Sequence, residues 1–229
     1  MMEIPKLLIN LKAYKESSGE RALEIAKQAE KAWRETGIVI GVVPHIIDLK
    51  NVAAQVEVPV YAQHVDPMDA GARTGHIPPV LVKLAGASGS IINHSERQVG
   101  LHHISEVISL LRELDLSSVV CAPTPREAAA VSALNPDAVA IEPPELIGTG
   151  IPVSKARPEV IVDTLKAVVD VNPDVDLLCG AGITSSEDVR AAIKLGSYGV
   201  LVASTVAKSP DPYRKIRELV EPFVEITRA

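Results

Sequence analysis

Aromatic side chains are scarce in this chain: Phe, Trp and Tyr make up 3% of its 229 residues, whereas hydrophobic residues as a whole make up 47%. A core of ordinary size must therefore be built mainly from Val, Ile, Leu and Ala, the residues typical of parallel sheets that are buried on both faces. The chain also lacks a basic excess, because its formal net charge is −6. A general nucleic-acid partner is disfavoured, since such a surface needs a basic stripe.

Long hydrophobic runs and cysteines are also few. No apolar run approaches the roughly 18 residues that a membrane span requires, and the first residues do not follow the pattern of a secretory signal. We therefore expect a cytoplasmic protein with no membrane partner. The two cysteines, Cys121 and Cys179, are far apart in sequence. A disulfide between them is one alternative, and reduced thiols are the interpretation that we favour.

Apolar runs alternate with helix-forming segments along the whole chain, and no linker divides them. We predict strands at 6–11, 38–43, 59–62, 90–93, 118–122, 137–142, 175–179 and 199–202, and helices at 19–35, 46–55, 79–85, 104–114, 125–134, 155–171, 185–195 and 212–226. This alternation requires a parallel sheet. The count of eight favours a closed (β/α)8 TIM barrel over an open doubly wound sheet, so we predict an α/β fold with residues 1–229 as a single catalytic domain.

Polar side chains stand where predicted strands end. Asn10 and Lys12 close the first strand, Asn93 and His94 the fourth, and Glu142 the sixth. Each has an ordinary structural explanation when taken singly, such as a solvated lysine or a strand-end carboxylate. A closed barrel brings all these strand ends to one mouth, which is where the active sites of such barrels lie. Taken together, these residues predict a catalytic site.

Three segments rich in small residues follow other strands. Residues 143–154 hold Gly148-Thr149-Gly150 between prolines, as expected of a lid. Residues 180–183 follow the seventh strand, and Ala203-Ser204 follow the eighth. Backbone N–H groups at these two places can hold a phosphate, and the loops after strands seven and eight are the usual phosphate site of this fold. The pattern indicates a phosphorylated ligand and leaves its identity open.

Metal binding is the alternative chemistry. His64-Val65-Asp66 and His102-His103 supply ligand types. Consecutive histidines point in different directions in a strand or a helix, so His102 and His103 do not form a coherent ligand set. We predict that both are surface residues and that the chain has no metal site.

Several segments resemble a known family in the right order along the chain. I-N-L-K at 9–12, N-H-S-E-R at 93–97 and A-I-E-P at 140–143, followed by I-G-T-G at 147–150, resemble the corresponding segments of triosephosphate isomerases. E-P-P-E-L-I-G-T-G at 142–150 and C-G-A-G-I at 179–183 are similar to the short archaeal form. Gln98 stands where the longer form often has a second arginine, and C-G-A-G replaces its Y-G-G-S segment.

The resemblance implies an isomerase that interconverts dihydroxyacetone phosphate and D-glyceraldehyde 3-phosphate in glycolysis and gluconeogenesis, through an enediolate and without a metal or organic cofactor. Glu142 would be the base. His94 would act as a neutral donor whose charge is disfavoured by a helix start at 95–97. Lys12 would supply positive charge, Asn10 a hydrogen bond, and Glu96 orientation. The residues expected to bind the substrate, a triose phosphate, are Asn10, Lys12, Ile147, Gly148, Gly182, Ala203 and Ser204.

The resemblance also implies a homo-oligomer, with a tetramer favoured over a dimer. We expect residues 70–77 to be the interlocking loop, and an apolar helix face at 104–114 to form a second interface. Two alternatives remain for the activity. One is an isomerase, lyase or metal-dependent epimerase that acts on a larger phosphosugar, and the other is a barrel that binds a phosphosugar without catalysis.

Overall fold

The computed structural model describes residues 3–143 and 157–227. Eight strands run through these residues. The strands are β1 (Leu7–Asn10), β2 (Ile40–Val43), β3 (Tyr61–Ala62), β4 (Gly89–Ile92), β5 (Ser117–Ala122), β6 (Ala138–Ile141), β7 (Asp176–Cys179) and β8 (Gly199–Val202).

The helices of the described residues alternate with these strands. They are α1 (Glu20–Thr36), α2 (Ile46–Ala53), α3 (Pro79–Leu84), α4 (Leu101–Glu113), α5 (Pro125–Ser132), α6 (Pro158–Val171), α7 (Ser186–Lys194), α8 (Ser204–Ala207) and α9 (Pro212–Thr227), with a short 3-10 helix at Lys15–Ser17. None of the helices in the part of the chain that the structure describes is long and apolar enough to cross a membrane.

The strands form one parallel sheet in the order β2-β1-β8-β7-β6-β5-β4-β3. The two outermost strands of this order meet through a parallel bridge between Val42 and Val60, where the Val42 N–H donates to the Pro59 carbonyl at 2.9 Å. The sheet is therefore a nearly closed barrel, which confirms the predicted fold. The seam between β2 and β3 is its least bonded junction.

Side chains from alternate strand positions fill the barrel from within. The buried interior cluster contains Ile4, Leu8, Val43, Tyr61, Ile91, Val119, Cys121, Ala138, Ala140, Leu178 and Leu201. A larger cluster packs the outer face of the sheet against the helices. This arrangement, with apolar side chains on both faces of the sheet, accounts for the continuous apolar runs in the sequence. Cys121 and Cys179 are both free and buried, as expected for reduced thiols.

Two short helical pieces were not predicted. The 3-10 turn at Lys15–Ser17 and helix α8, which has four residues, are too short to show a helical period in sequence. Conversely, the helix predicted to begin at 95–97 is wrong. These residues form a single turn in which the Arg97 N–H donates to the His94 carbonyl at 2.7 Å, and the next helix begins at Leu101.

Helix α4 buries the apolar face that was expected to form an interface. Ile104, Val107, Ile108 and Leu111 are at most 3% exposed and belong to the core of the same chain. The expectation of a second interface on this face is therefore wrong. The periodicity correctly indicated an apolar face, but local sequence does not say whether the surface that covers it belongs to the same chain.

Candidate active site

A pocket opens at the carboxyl ends of the strands and collects side chains from both halves of the chain. Its lining includes Asn10 at the end of β1 and Lys12 just after it, His94 after β4, Glu142 after β6, residues 180–184 after β7, and residues 201–205 from the end of β8 onwards. Asn10, Lys12, His94 and Glu142 therefore share one cavity with the predicted phosphate segments of the described chain, whereas Glu96 lines a second cavity that shares Asn10, Lys12 and His94 with the first. Ile147, Gly148 and the expected lid lie outside the described residues.

Glu142 follows β6 and is the most buried carboxylate of the pocket. Its N–H donates to the Ala122 carbonyl at 2.8 Å, which fixes the backbone, and its side chain is 5% exposed. The Glu142 Oε1 lies 3.5 Å from His94 Nε2, and Oε2 is buried without a hydrogen-bond partner among the described residues. Burial raises the pKa of Glu142, although His94, Cys121 and Lys12 act in the opposite direction. The result is a carboxylate that is held dry and is more basic than usual.

Gly180 makes room for this carboxylate. Its N–H donates to the Ile141 carbonyl at 2.9 Å, so the start of the loop after β7 is tied to the end of β6. A Cβ atom at Gly180 would lie 2.6 Å from Glu142 Cγ and 3.1 Å from the Ile141 carbonyl oxygen. Only glycine therefore fits beside Glu142 without displacing it.

His94 is oriented by a turn and not by a helix dipole. Its Nδ1 accepts a hydrogen bond from the Glu96 N–H at 3.1 Å, so the proton of a neutral ring is on Nε2, the nitrogen that faces Glu142. Asn93 supports the turn in a left-handed conformation with φ 60°. The Asn93 side chain donates to the Cys121 carbonyl at 2.9 Å and accepts from the Val99 N–H at 2.9 Å.

Lys12 stands in a strained turn at the end of β1. Its φ is +52°, a left-handed value that is unusual for a residue other than glycine, and its N–H donates to Asn10 Oδ1 at 2.9 Å. The Lys12 side chain is 11% exposed, and its Nζ donates to Glu96 Oε1 at 2.8 Å. Glu96 is 58% exposed, and its other oxygen lies 3.8 Å from His94 Nδ1. Glu96 therefore approaches both Lys12 and His94 from the rim of the pocket.

The loops after β7 and β8 supply another part of the pocket lining. Gly182 has a positive φ of 73°, and helix α8 begins at Ser204 with Ala203 as its N-cap. The first N–H groups of a helix have no acceptor inside it, and such groups bind anions. The Thr205 hydroxyl donates to the Ile183 carbonyl at 2.9 Å, which joins the loop after β7 to the loop after β8. Gly182, Ala203 and Ser204 thus line the same pocket as Glu142.

The residues of the alternative metal site form a polar cluster beside this pocket. His64 Nε2 lies 3.2 Å from Asp66 Oδ1, while Asp66 Oδ2 accepts from the Ile77 N–H at 2.7 Å and lies 3.4 Å from His76 Nδ1. Within residues 3–143 and 157–227, no three His, Cys, Asp or Glu side chains are grouped as metal ligands. In this cluster, Asp66 anchors the loop that ends at Ile77.

The prediction for the histidine pair is right for one member. His102 has an 87% exposed side chain on α4. His103 is not a simple surface residue: it is partly buried, its Nε2 lies 3.2 Å from the Val65 carbonyl, and its ring centre is 5.4 Å from that of His64. The two side chains do point in different directions, as their adjacency on a helix requires.

Sequence reasoning missed several residues at or beside the pocket, including Tyr14, Gln63 and Thr205. Tyr14 and Thr205 line the pocket directly, and Gln63 contacts Asn10 and Lys12, which line it. Gln63 had a usable signal, because it follows β3 and is therefore another polar strand-end residue. Tyr14 and Thr205 lie in a loop and a short helix that show no pattern in sequence.

Comparison with known proteins identifies the family of the chain. The family model described as triosephosphate isomerase matches residues 5–226. The triosephosphate isomerase of Methanothermus fervidus is 51% identical over 219 residues, which cover 96% of this chain and 99% of the relative. Those of Methanocaldococcus jannaschii and Caldivirga maquilingensis are each 51% identical, over 94% and 97% of this chain and 98% and 99% of theirs. On this evidence, the chain belongs to the triosephosphate isomerase family.

Proposed function

We propose that Glu142 is the acid–base group for the reaction of this family, the interconversion of dihydroxyacetone phosphate and D-glyceraldehyde 3-phosphate in glycolysis and gluconeogenesis. One observation carries the assignment. The buried Glu142 carboxylate lies 3.5 Å from His94 Nε2, in the pocket that also holds Lys12 and the start of α8. An acid–base group, hydrogen-bond donors and an anion site therefore face one volume.

The reaction moves a proton between neighbouring carbons of the substrate. Glu142 removes the proton from the carbon beside the carbonyl and returns it to the carbon that carried the oxygen double bond, so no redox cofactor is required. A carboxylate is a weak base for a carbon acid. The raised pKa of Glu142 strengthens it, and positioned proton transfer contributes about 10²–10⁴-fold to the rate.

The remaining barrier is lowered by stabilising the enediolate. His94 donates from Nε2 to the developing oxyanion, because its Nδ1 is occupied by the Glu96 N–H. Lys12 supplies a fixed positive charge that is largely shielded from water. Asn10 adds a hydrogen bond, and Glu96 orients the Lys12 ammonium group, which it binds at 2.8 Å.

The phosphate does not react but binds at the part of the pocket lining formed by Gly182, Ala203 and Ser204. From the family resemblance, Ile147 and Gly148 complete this site, and both lie outside the described residues. Binding energy from a group that does not react can be used to orient the reacting carbons and exclude water.

The test is the substitution Glu142→Gln, which keeps the side-chain shape and removes the base. We expect kcat to fall by about 10²-fold or more with KM nearly unchanged. Glu106→Gln, on the exposed side of α4, is the matched control and should behave as the wild type. Near-normal turnover by Glu142→Gln would overturn the assignment.

Two further assays separate the alternatives. Wild-type activity that survives a chelator excludes a metal-dependent epimerase, and exchange of substrate hydrogen with solvent excludes a barrel that only binds the phosphosugar. A preference for pentose or hexose phosphates over triose phosphates would instead favour an isomerase or lyase of larger substrates.

The assembly that we propose is a homotetramer of whole chains 1–229 in the cytoplasm. The family typically forms oligomers, and residues 69–76 of this chain project as an exposed loop beside the pocket. Light scattering should give four times the chain mass of 24.3 kDa. Twice that mass would indicate a dimer, and cell fractionation tests the location.

A further inference from the structure

The Gln63 side chain lies at the junction between β2 and β3, the least bonded junction of the barrel, and contacts Asn10 and Lys12 of the candidate active site. Gln63 follows β3, the two-residue strand whose contact with β2 is limited to one bridge. From there its Nε2 donates to the Lys12 carbonyl at 2.8 Å and to Asn10 Oδ1 at 3.2 Å, with a longer contact of 3.4 Å to the Val43 carbonyl. One amide thus joins the ends of β1, β2 and β3.

We propose that Gln63 is a positioning residue for the isomerase reaction, acting through Lys12 and Asn10; this inference rests on the roles proposed for those two residues. The backbone of Lys12 is held at φ +52°, a conformation that persists only when the surroundings impose it. Two contacts impose it here. Asn10 Oδ1 binds the Lys12 N–H at 2.9 Å, and Gln63 binds the carbonyl of the same residue.

The same amide determines which end of Asn10 faces the ligand. Asn10 Oδ1 accepts from both the Lys12 N–H and Gln63 Nε2, so its lone pairs are used. The Nδ2 hydrogens are what remains for the substrate. Asn10 therefore acts as a donor, as a site that stabilises negative charge on oxygen requires. Loss of Gln63 removes one of the two contacts that hold this orientation.

The first test is Gln63→Met, which keeps the length of the side chain and removes its donor. We expect kcat/KM to fall by about 10²-fold, because a misplacement of about 1 Å in a positioning group has an effect of this size. Gln55→Met is the matched control, since the exposed Gln55 side chain donates to Asn51 on α2, away from the pocket residues. Wild-type kcat/KM for Gln63→Met would overturn the proposal.

A mutant cycle separates positioning from a purely structural effect at the seam. If Gln63 acts through Lys12 and Asn10, adding Gln63→Met to a variant that carries both Lys12→Met and Asn10→Ala should cause little further loss of kcat/KM, because both groups that it positions are already absent. If the two losses multiply, Gln63 acts by another route and the proposal fails. Thermal unfolding of each variant verifies that the fold is retained.

If Gln63→Met does not fold, Gln63→Glu gives an independent test. The substituted carboxyl group can donate to the Lys12 carbonyl only when protonated, so the activity of this variant relative to wild type should rise as the pH is lowered. A ratio that is the same at every pH would overturn the proposal. Glu142→Gln tests the underlying mechanism separately: if that variant loses turnover while Gln63→Met is fully active, only the role of Gln63 is wrong.

Discussion

Gly180, which lies beside the Glu142 carboxylate, offers a sharp test of how closely the candidate site is packed. We predict that Gly180→Ala lowers kcat by about 10²-fold, because a displacement of about 1 Å in a reacting group costs that much. The added Cβ would lie 2.6 Å from Glu142 Cγ, whereas carbon atoms in favourable contact are about 3.5–4.0 Å apart. The difference is about 1 Å, the size of the expected displacement.

The new methyl group has little room to avoid this contact. On its other side it would meet the Ile141 carbonyl oxygen at 3.1 Å, which belongs to β6 and is held by the sheet. Glu142 is therefore the group that moves, and its distance to His94 Nε2 should increase from 3.5 Å. Overpacking of this kind costs about 1–3 kcal/mol of folding free energy, so the variant should remain folded at moderate temperature.

The measurement is the isomerase rate in a coupled assay, with thermal unfolding of the same preparation. Gly100→Ala is the matched control, because Gly100 has an ordinary φ of −73° and no atom within 4 Å of the place that the added methyl group would take. It should keep wild-type turnover. Wild-type turnover by Gly180→Ala, or an equal loss in both variants, would refute the argument that Gly180 is needed to place Glu142.

Three other predictions concern charge and anchoring. Burial raises the pKa of Glu142, and the base must be ionised to act, so the pKa seen on the acid side of the pH profile of kcat/KM should lie above that of an ordinary carboxyl group. A pKa in the ordinary carboxyl range would contradict the assignment. The same rise in the pKa of Glu142 means that its ionised carboxylate destabilises the folded state at pH values above the unfolded-state pKa. Glu142→Gln should therefore raise Tm near neutral pH, by about 2–4 °C for each kcal/mol of stability gained. The gain should disappear in acid, where Glu142 is protonated in both the folded and the unfolded state. Asp66→Ala removes the acceptor of the Ile77 N–H, which should lower the free energy of unfolding by about 1–3 kcal/mol. Proteolysis within the exposed residues 69–76 should become faster. An unchanged cleavage rate would show that Asp66 does not anchor this loop.

The contacts at the seam between β2 and β3 could not be predicted from sequence patterns. Strand β3 has two residues, which are too few for a hydrophobic pattern that would indicate which strand it pairs with. Gln63 could be recognised as a polar strand-end residue, but its contacts with Lys12 and Asn10 depend on barrel closure, which brings residues 51 and 53 positions apart into contact. Likewise, the periodicity correctly predicted an apolar face on α4, but it could not show that this face packs in the core of the same chain. Burial in a core and burial in an interface give the same sequence pattern.

The sequence alone determined the alternation of strands and helices, the parallel sheet, and the set of strand-end residues that includes Lys12, His94 and Glu142. These features depend on local periodicity and on the position of polar residues relative to strand ends, both of which are visible in a single chain. Only the tertiary structure decided that a turn orients His94, that Gly180 leaves space for Glu142, and that Gln63 supports the strained backbone of Lys12. Those contacts join residues from different strands, and their geometry exists only when the barrel has closed.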